Sequence, residues 1–212
     1  MAVITISRQL GSHGARIARS LAKELGYTFA DKNLIDRVIR QYGLTMLNSL
    51  YDKKPTIWDL FNENSAITIE MMNRTIAALA KHGDVVILGR GGFTVLHGMS
   101  DVLNVSVKAP QDVRAERIAR RDGIANAAAL AKVIADDETR ARFVRLFYGR
   151  DLADESQFDL VVDTGTTSDA DARAQIIAAL TTMKPAGDRS ASRLEVDSVL
   201  SDTVNEALTW LA

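Results

Sequence analysis

A parallel α/β sheet with helices on both faces is the fold predicted by this 212-residue sequence, on three observations. Residues 3–6, 85–88, 103–107 and 160–162 are short, largely apolar runs rich in Val and Ile, the pattern of strands buried on both sides. The stretches between them carry apolar residues at helical spacing. The first junction passes from a strand through Gly11-Ser12-His13-Gly14 directly into a helix. Strands and helices that alternate in this way build a parallel sheet with right-handed crossovers.

In the first helix Ile17, Leu21 and Leu25, with Ala18 and Ala22, mark one face, and Gly26 supplies the positive φ that a helix end favours. Tyr27-Thr28-Phe29 is strand-like, and Asp31, a good N-cap, opens a second helix. Residues 57–81 hold Leu60, Phe61, Ile67, Ile69, Met72, Ile76 and Leu79, which predicts two helices or one bent helix ended by Gly83. Trp58, Phe61 and Trp210 occupy core-like positions. Pro110, suited to a first helical position, opens a helix through Arg121 that breaks around Asp122-Gly123. The aperiodic residues 184–193 read as a linker. Beyond it Val196, Val199, Leu200, Val204, Leu208 and Leu211 predict an amphipathic helix over residues 194–212, docked on its own domain or paired with a second copy as a homodimer. Residues 1–183 are expected to form one domain.

With 26 basic and 27 acidic residues the net charge is −1, so the balance favours small-molecule partners over nucleic acid or an anionic membrane surface. The absence of cysteine excludes disulfides, thiolate zinc sites and cysteine nucleophiles. No apolar run approaches the roughly 18 residues that span a bilayer, and no secretory leader pattern precedes the first strand, so a cytoplasmic location is expected. His82 and His97 lack partners at metal-ligand spacing, and no resident metal cluster is expected.

The chemistry is expected where strands end in glycine. A helix N-terminus presents unpaired N–H groups and partial positive charge, and glycines let backbone approach a polyanion, so Gly11, Ser12, His13, Gly14, Ala15, Arg16 and Ile17 form a candidate phosphate-binding loop. The complete P-loop pattern G-x-x-x-x-G-K-[ST] is not met, and Arg16 is the candidate for the missing cation. A second buried strand ends in Gly89-Arg90-Gly91-Gly92, which places Arg90 on the same sheet edge. Asp31 stands close enough to the phosphate loop to hold magnesium or to orient an acceptor hydroxyl, or simply caps its helix. A third region is dense in arginine: Arg114, Arg117, Arg120 and Arg121, then Arg140, Arg142, Arg145 and Arg150. Cations closing over a transferred phosphoryl group would have this character, although Asp136/Arg140 and Glu138/Arg142 also read as ordinary i,i+4 pairs.

These segments together resemble the cytidylate kinase-like family, a branch of the P-loop nucleoside monophosphate kinases. The resemblance runs from about Val3 to Thr166. It rests on Ile4-Thr5-Ile6-Ser7-Arg8-Gln9-Leu10-Gly11-Ser12-His13-Gly14, on Phe29-Ala30-Asp31-Lys32-Asn33-Leu34-Ile35, on Val86-Ile87-Leu88-Gly89-Arg90-Gly91, and on residues 137–148 followed by Phe158-Asp159-Leu160-Val161-Val162. The family loop has the form I-S-R-x-x-G-S-G-G-R-E. This chain departs from it at His13, Ala15 and Arg16. The resemblance implies a P-loop NTPase-like sheet with an arginine-rich lid, ATP and Mg²⁺ as cofactors, and transfer of a phosphoryl group to a CMP-like acceptor. It implies an acceptor contact from Arg90, a place for Asp31 just before the monophosphate-binding helices, and a lid that contains Arg117, Arg121, Arg140 and Arg142. Joined to the reading of the residues, it makes Arg16 and these lid arginines the candidate catalytic residues and Asp31 and Arg90 the candidates that position the acceptor. The alternative is a nucleotide- or phosphate-binding sensor that keeps the fold without turnover.

Overall fold

The computed structural model describes residues 2–42, 56, 63–183 and 189–209; Trp58, Phe61, Trp210 and residues 57–62 of the expected helical stretch lie outside the described residues. In chain order the elements are β1 (Val3–Arg8), α1 (Gly14–Leu25), β2 (Thr28–Ala30), α2 (Lys32–Gln41), α3 (Glu63–His82), β3 (Val85–Leu88), α4 (Gly92–Val95), β4 (Val102–Lys108), α5 (Gln111–Asp122), α6 (Asn126–Tyr148), β5 (Leu160–Asp163), α7 (Asp169–Thr182) and α8 (Ser198–Thr209). The strands form one sheet in the order β2-β3-β1-β4-β5, and every pair is parallel.

Alternation along each strand divides the core in two. Val3, Val85, Ile87 and Val102 point to a face covered by α2, α3 and α8, whereas Ile4, Ile6, Val86, Leu88, Leu103 and Val105 point to a face covered by α1 and α7. A third, smaller cluster of Ala115, Ile118, Ala129 and Val133 joins α5 to α6 beyond the sheet. The strand order reverses on either side of β1, and at such a switch point the loops leaving the carboxyl ends open a crevice.

The punctuation residues act largely as expected. Gly26 closes α1 with φ of 68°, and the Asp31 carboxylate accepts from the N–H groups of Asn33 at 2.9 Å and Leu34 at 3.2 Å. Pro110 lies one residue outside α5, as its N-cap, and Gly123 ends that helix.

The segment read as a linker is anchored in the part described, residues 189–193. Arg189 O accepts from Ser100 N at 2.8 Å, and Asp101 accepts from Ala191 N at 2.7 Å and Ser190 Oγ at 2.6 Å. Burial pushes the Asp101 carboxyl up, but these donors outweigh it and hold the group below its usual range. Leu200, Val204 and Ala207 then bury the apolar stripe of α8 against α2 and α3 of the same chain. Of the two arrangements expected for this helix, the structure shows docking on its own domain.

Candidate functional site

Residues 9–13 connect β1 to α1. Gln9 ties the start of this loop to the end of β4, its N–H donating to Val107 O at 3.2 Å and its side-chain oxygen accepting from Ala109 N at 3.1 Å. Gly11 takes φ of +82° and lies so close to α5 that a Cβ would stand 2.8 Å from Arg114 O. Ser12 is fully buried, and its hydroxyl turns inward to donate to Gln9 O at 2.9 Å. Ser12 O accepts from the Thr164 hydroxyl at 2.8 Å. His13 caps α1 in the left-handed conformation, Gly14 is buried, Ala15 is exposed and Ile17 belongs to the core.

The cation expected in this loop points elsewhere. Arg16 is largely exposed and donates from Nε to Asp169 at 2.5 Å, while His13 Nδ1 stands 3.1 Å from the other Asp169 oxygen. Burial and the charges of Arg117 and Arg16 lower the His13 pKa, with Asp169 opposing them, so the imidazole is neutral near pH 7. Burial raises the Asp169 carboxyl, but Arg16 and His13 together bring it below its ordinary value.

Three of the α5 arginines are taken up by protein. Arg114, with relative exposure of 1%, makes a two-pronged pair with Asp137 at 3.0 and 2.7 Å and also donates to the carbonyls of Ala109 and Leu10. Arg117 fastens the glycine loop to the β5–α7 connection by donating to Gly11 O at 3.2 Å, Thr164 Oγ1 at 3.1 Å and Thr164 O at 2.7 Å. Arg121 reaches outward to Asp122, which also binds Lys132, and this double pairing drives the Asp122 carboxyl strongly down. Arg142 is exposed, and two residues from Arg140, about 200° around the helix, it does not line the cleft described next. Arg117, Arg121 and Arg142, expected in a lid, are thus placed on the glycine loop, on Asp122 and on an exposed helix face, outside the cleft lining.

The remaining cations converge. A cleft of about 230 Å³ opens at the carboxyl ends of β1 and β3, with Arg8, Lys32, Arg90 and Arg140 in its wall. Leu88, Phe93, Phe143, Val144 and Leu152 give it an apolar side, and Asp136 and Thr139 join Arg140 on α6. Arg90 lies between Gly89 and Gly91 in three successive residues of positive φ, 72°, 55° and 74°. This conformation costs a non-glycine residue of order 1 kcal/mol and persists only where the surroundings impose it. Its guanidinium stands 3.7 Å from Asp36 and is almost wholly buried. Arg140 is held by both Asp136 oxygens.

Arg90, expected at the carboxyl edge, and Arg140, expected in a lid, both line this cleft, together with Arg8 and Lys32, which sequence reasoning did not single out. Lys32 had a signal: it is the first residue of α2, next to the capping Asp31, which itself lies outside the cleft lining. Arg8 had a weaker one, as the last residue of a strand that ends at the crevice.

Among the described residues no group of three His, Cys, Asp or Glu is arranged to hold a metal ion. Among the described residues Asp136 is the one carboxylate in the cleft wall, and the Ser12 hydroxyl is turned away. A donor set so small suits Mg²⁺, which keeps several waters and is carried by substrate phosphates with one or two carboxylates. No described helix is long and apolar enough to cross a membrane.

Comparison with known proteins agrees with this geometry. The family model described as "Cytidylate kinase-like family" matches residues 3–166. The chain is 36% identical over 167 residues to the cytidylate kinase of Ignicoccus hospitalis, covering 77% of this chain and 90% of that one. It is 34% identical over 194 residues to the cytidylate kinase of Pyrococcus furiosus, covering 90% and 94%. Among solved structures, an uncharacterized protein from Eubacterium ventriosum superposes with a TM-score of 0.70 at 18% identity, over 86% of this chain and 99% of that one. Shikimate kinase from Bacteroides thetaiotaomicron superposes with a TM-score of 0.51 at 17% identity, over 85% and 98%. The likeness to these two structures is one of α/β fold, and the match of the family model over most of the chain shows that this protein belongs to the cytidylate kinase-like family.

Proposed function

We propose that the protein transfers the terminal phosphoryl group of ATP to CMP. The observation that carries this reading is the convergence of Lys32, Arg90 and Arg140 in one cleft beside the glycine loop, where a monophosphate would meet three cations on three separate elements. An acceptor phosphate oxygen would form the new P–O bond to the γ-phosphorus as the bond to the β-bridging oxygen breaks, giving ADP and CDP. Most of the rate gain in such a transfer comes from alignment and charge neutralisation, which the three cations supply. The N-terminus of α1 would hold the donor phosphates, flanked by His13 and Arg16, and the apolar side of the cleft would pack against a flat base. Asp31 would act by capping α2 and so fixing Lys32. When bound with ATP, Mg²⁺ would neutralise charge on the phosphate oxygens, and Asp136, which in this structure holds Arg140, is the carboxylate that would turn to it. The choice of cytidine rests on the names of the relatives.

The test is ADP formation from ATP and Mg²⁺ with CMP, dCMP, UMP, AMP or GMP as acceptor. CMP is expected to give the highest kcat/KM. A second reading, a sensor that binds nucleotide without turnover, is favoured by one observation: Asp169 already engages His13 and Arg16 at the loop mouth. ATP binding by calorimetry with no acceptor-dependent ADP would replace the first reading by the second.

A further inference from the structure

We propose that Arg8 is the cation that joins the donor and acceptor phosphates, in the place of the lysine that the glycine loop lacks. Consider G-x-x-x-x-G-K-[ST] laid on the chain so that its lysine falls on the first residue of the helix. The lysine position is then Gly14, the first residue of α1, and the first glycine position is Arg8, the last residue of β1. Cation and glycine have exchanged ends of the loop.

The structure gives that exchange a physical basis. A Cβ built on Gly14 would stand 2.5 Å from Arg8 Cβ and 3.3 Å from Arg8 Cγ, so the stem of Arg8 fills the volume that a lysine stem at position 14 would need. A side chain at position 14 is not tolerable while Arg8 keeps this path. At its far end the guanidinium lies across Gly89, where a Cβ would overlap Nη1, and this brings it beside Arg90. Arg8 therefore runs from the N-terminus of α1, where donor phosphates would lie, to the turn that carries the acceptor arginine, and it lines the same cleft as Lys32, Arg90 and Arg140. Arg16, directed to Asp169, does not. A planar guanidinium with five donors can bind oxygens of two phosphates at once, where a lysine ammonium acts as a single point charge.

This inference rests on the kinase reading, and the experiment separates the two. Wild type, Arg8→Gln and Arg8→Lys are compared by circular dichroism and thermal melting, by kcat and KM for ATP and CMP, and by calorimetric binding of three probes. The probes are ATP, CMP, and adenosine and cytidine linked through five phosphates. Arg8→Gln is expected to lower kcat by about 100- to 1,000-fold, as loss of one preorganised transition-state donor does. It is also expected to weaken the linked probe by a larger factor than ATP and CMP taken singly and multiplied together. Arg8→Lys should keep the fold and recover part of kcat; it decides the matter if the Gln variant does not fold. Equal loss across all probes accompanied by a lower melting temperature would make Arg8 a packing residue and overturn the proposal. So would loss confined to CMP. If the wild type turns over no acceptor, the kinase reading fails while the binding arm still judges the bridge; if it also fails to bind the linked probe, both fall.

Discussion

The two arginine-bearing flanks of the glycine loop use the same side chain for opposite ends. On the α5 side, Arg114 and Arg117 point at carbonyls and at Asp137, and the loop is braced from behind. On the β3 side, Arg8, Arg90 and Arg140 border open volume. The difference lies in the surroundings: Arg114 is enclosed by carbonyls and Asp137, whereas Arg140, held just as firmly by the two oxygens of Asp136, stands with Arg8 and Arg90 in a cleft wall. A run rich in arginine is thus no measure of catalytic potential until its partners are known.

The comparison breaks first at Arg114. Replacement by Met should cost about 3–5 kcal/mol in urea unfolding, because Asp137 and two carbonyls lose a buried partner; a loss below about 1 kcal/mol would place Arg114 with the cleft cations instead. Arg140→Gln should do the reverse. Its half-exposed i,i+4 pair with Asp136 contributes under about 1 kcal/mol to stability. The kcat/KM for CMP should nevertheless fall about 100- to 1,000-fold. Unchanged steady-state kinetics would remove Arg140 from the site.

Smaller effects sharpen the contrast. Gly91→Ala puts a side chain at φ of +74° and 2.6 Å from the Tyr148 ring, which donates its hydroxyl to Asn73 at 2.8 Å. Thermal melts should show a loss of about 1–3 kcal/mol, and a neutral outcome would mean that the turn is less constrained than its dihedral angles imply. Arg16→Ala should lower kcat/KM by about tenfold at most, since an exposed pair with Asp169 is worth little; a drop as large as that of Arg8→Gln would restore Arg16 to the part of the missing lysine. The smallest effect is on pH. Folding holds the His13 pKa below 6.5, so between the two values the unfolded chain binds more protons and stability falls as pH drops below 6.5. Denaturation midpoints from pH 5 to 8 should show this slope in the wild type and lose it in His13→Asn.

Much of the architecture was legible because it follows from local pattern. Residues 85–88 are predicted and found as β3, and residues 3–6, 103–107 and 160–162 extend by one or two residues into β1, β4 and β5, because polar ends such as Ser7-Arg8 and Lys108 pair in the ladder although they break the apolar run. Gly26 and Asp31 cap as their chemistry requires. The direction of each arginine was not legible. Arg117 and Arg140 are equally polar in sequence, and only the packing of α5 and α6 through Ala115, Ile118, Ala129 and Val133 turns one to the loop backbone and the other to the cleft. Arg8 was hidden for a different reason: its task depends on the absence of side chains at Gly14 and Gly89, six and 81 positions away.

The anchoring of the chain beyond residue 188 has a practical corollary. Asp101 grips Ser190 and Ala191, and α8 rests on α2, the element whose first turn presents Lys32. Shortening the C-terminal end, tempting because the family match stops at residue 166, would strip the outer support from the helix that orients this ammonium group. A trimmed protein that still melts cooperatively would then show a raised KM for the acceptor with that for ATP little altered, a kinetic fault arising far from any group that meets substrate.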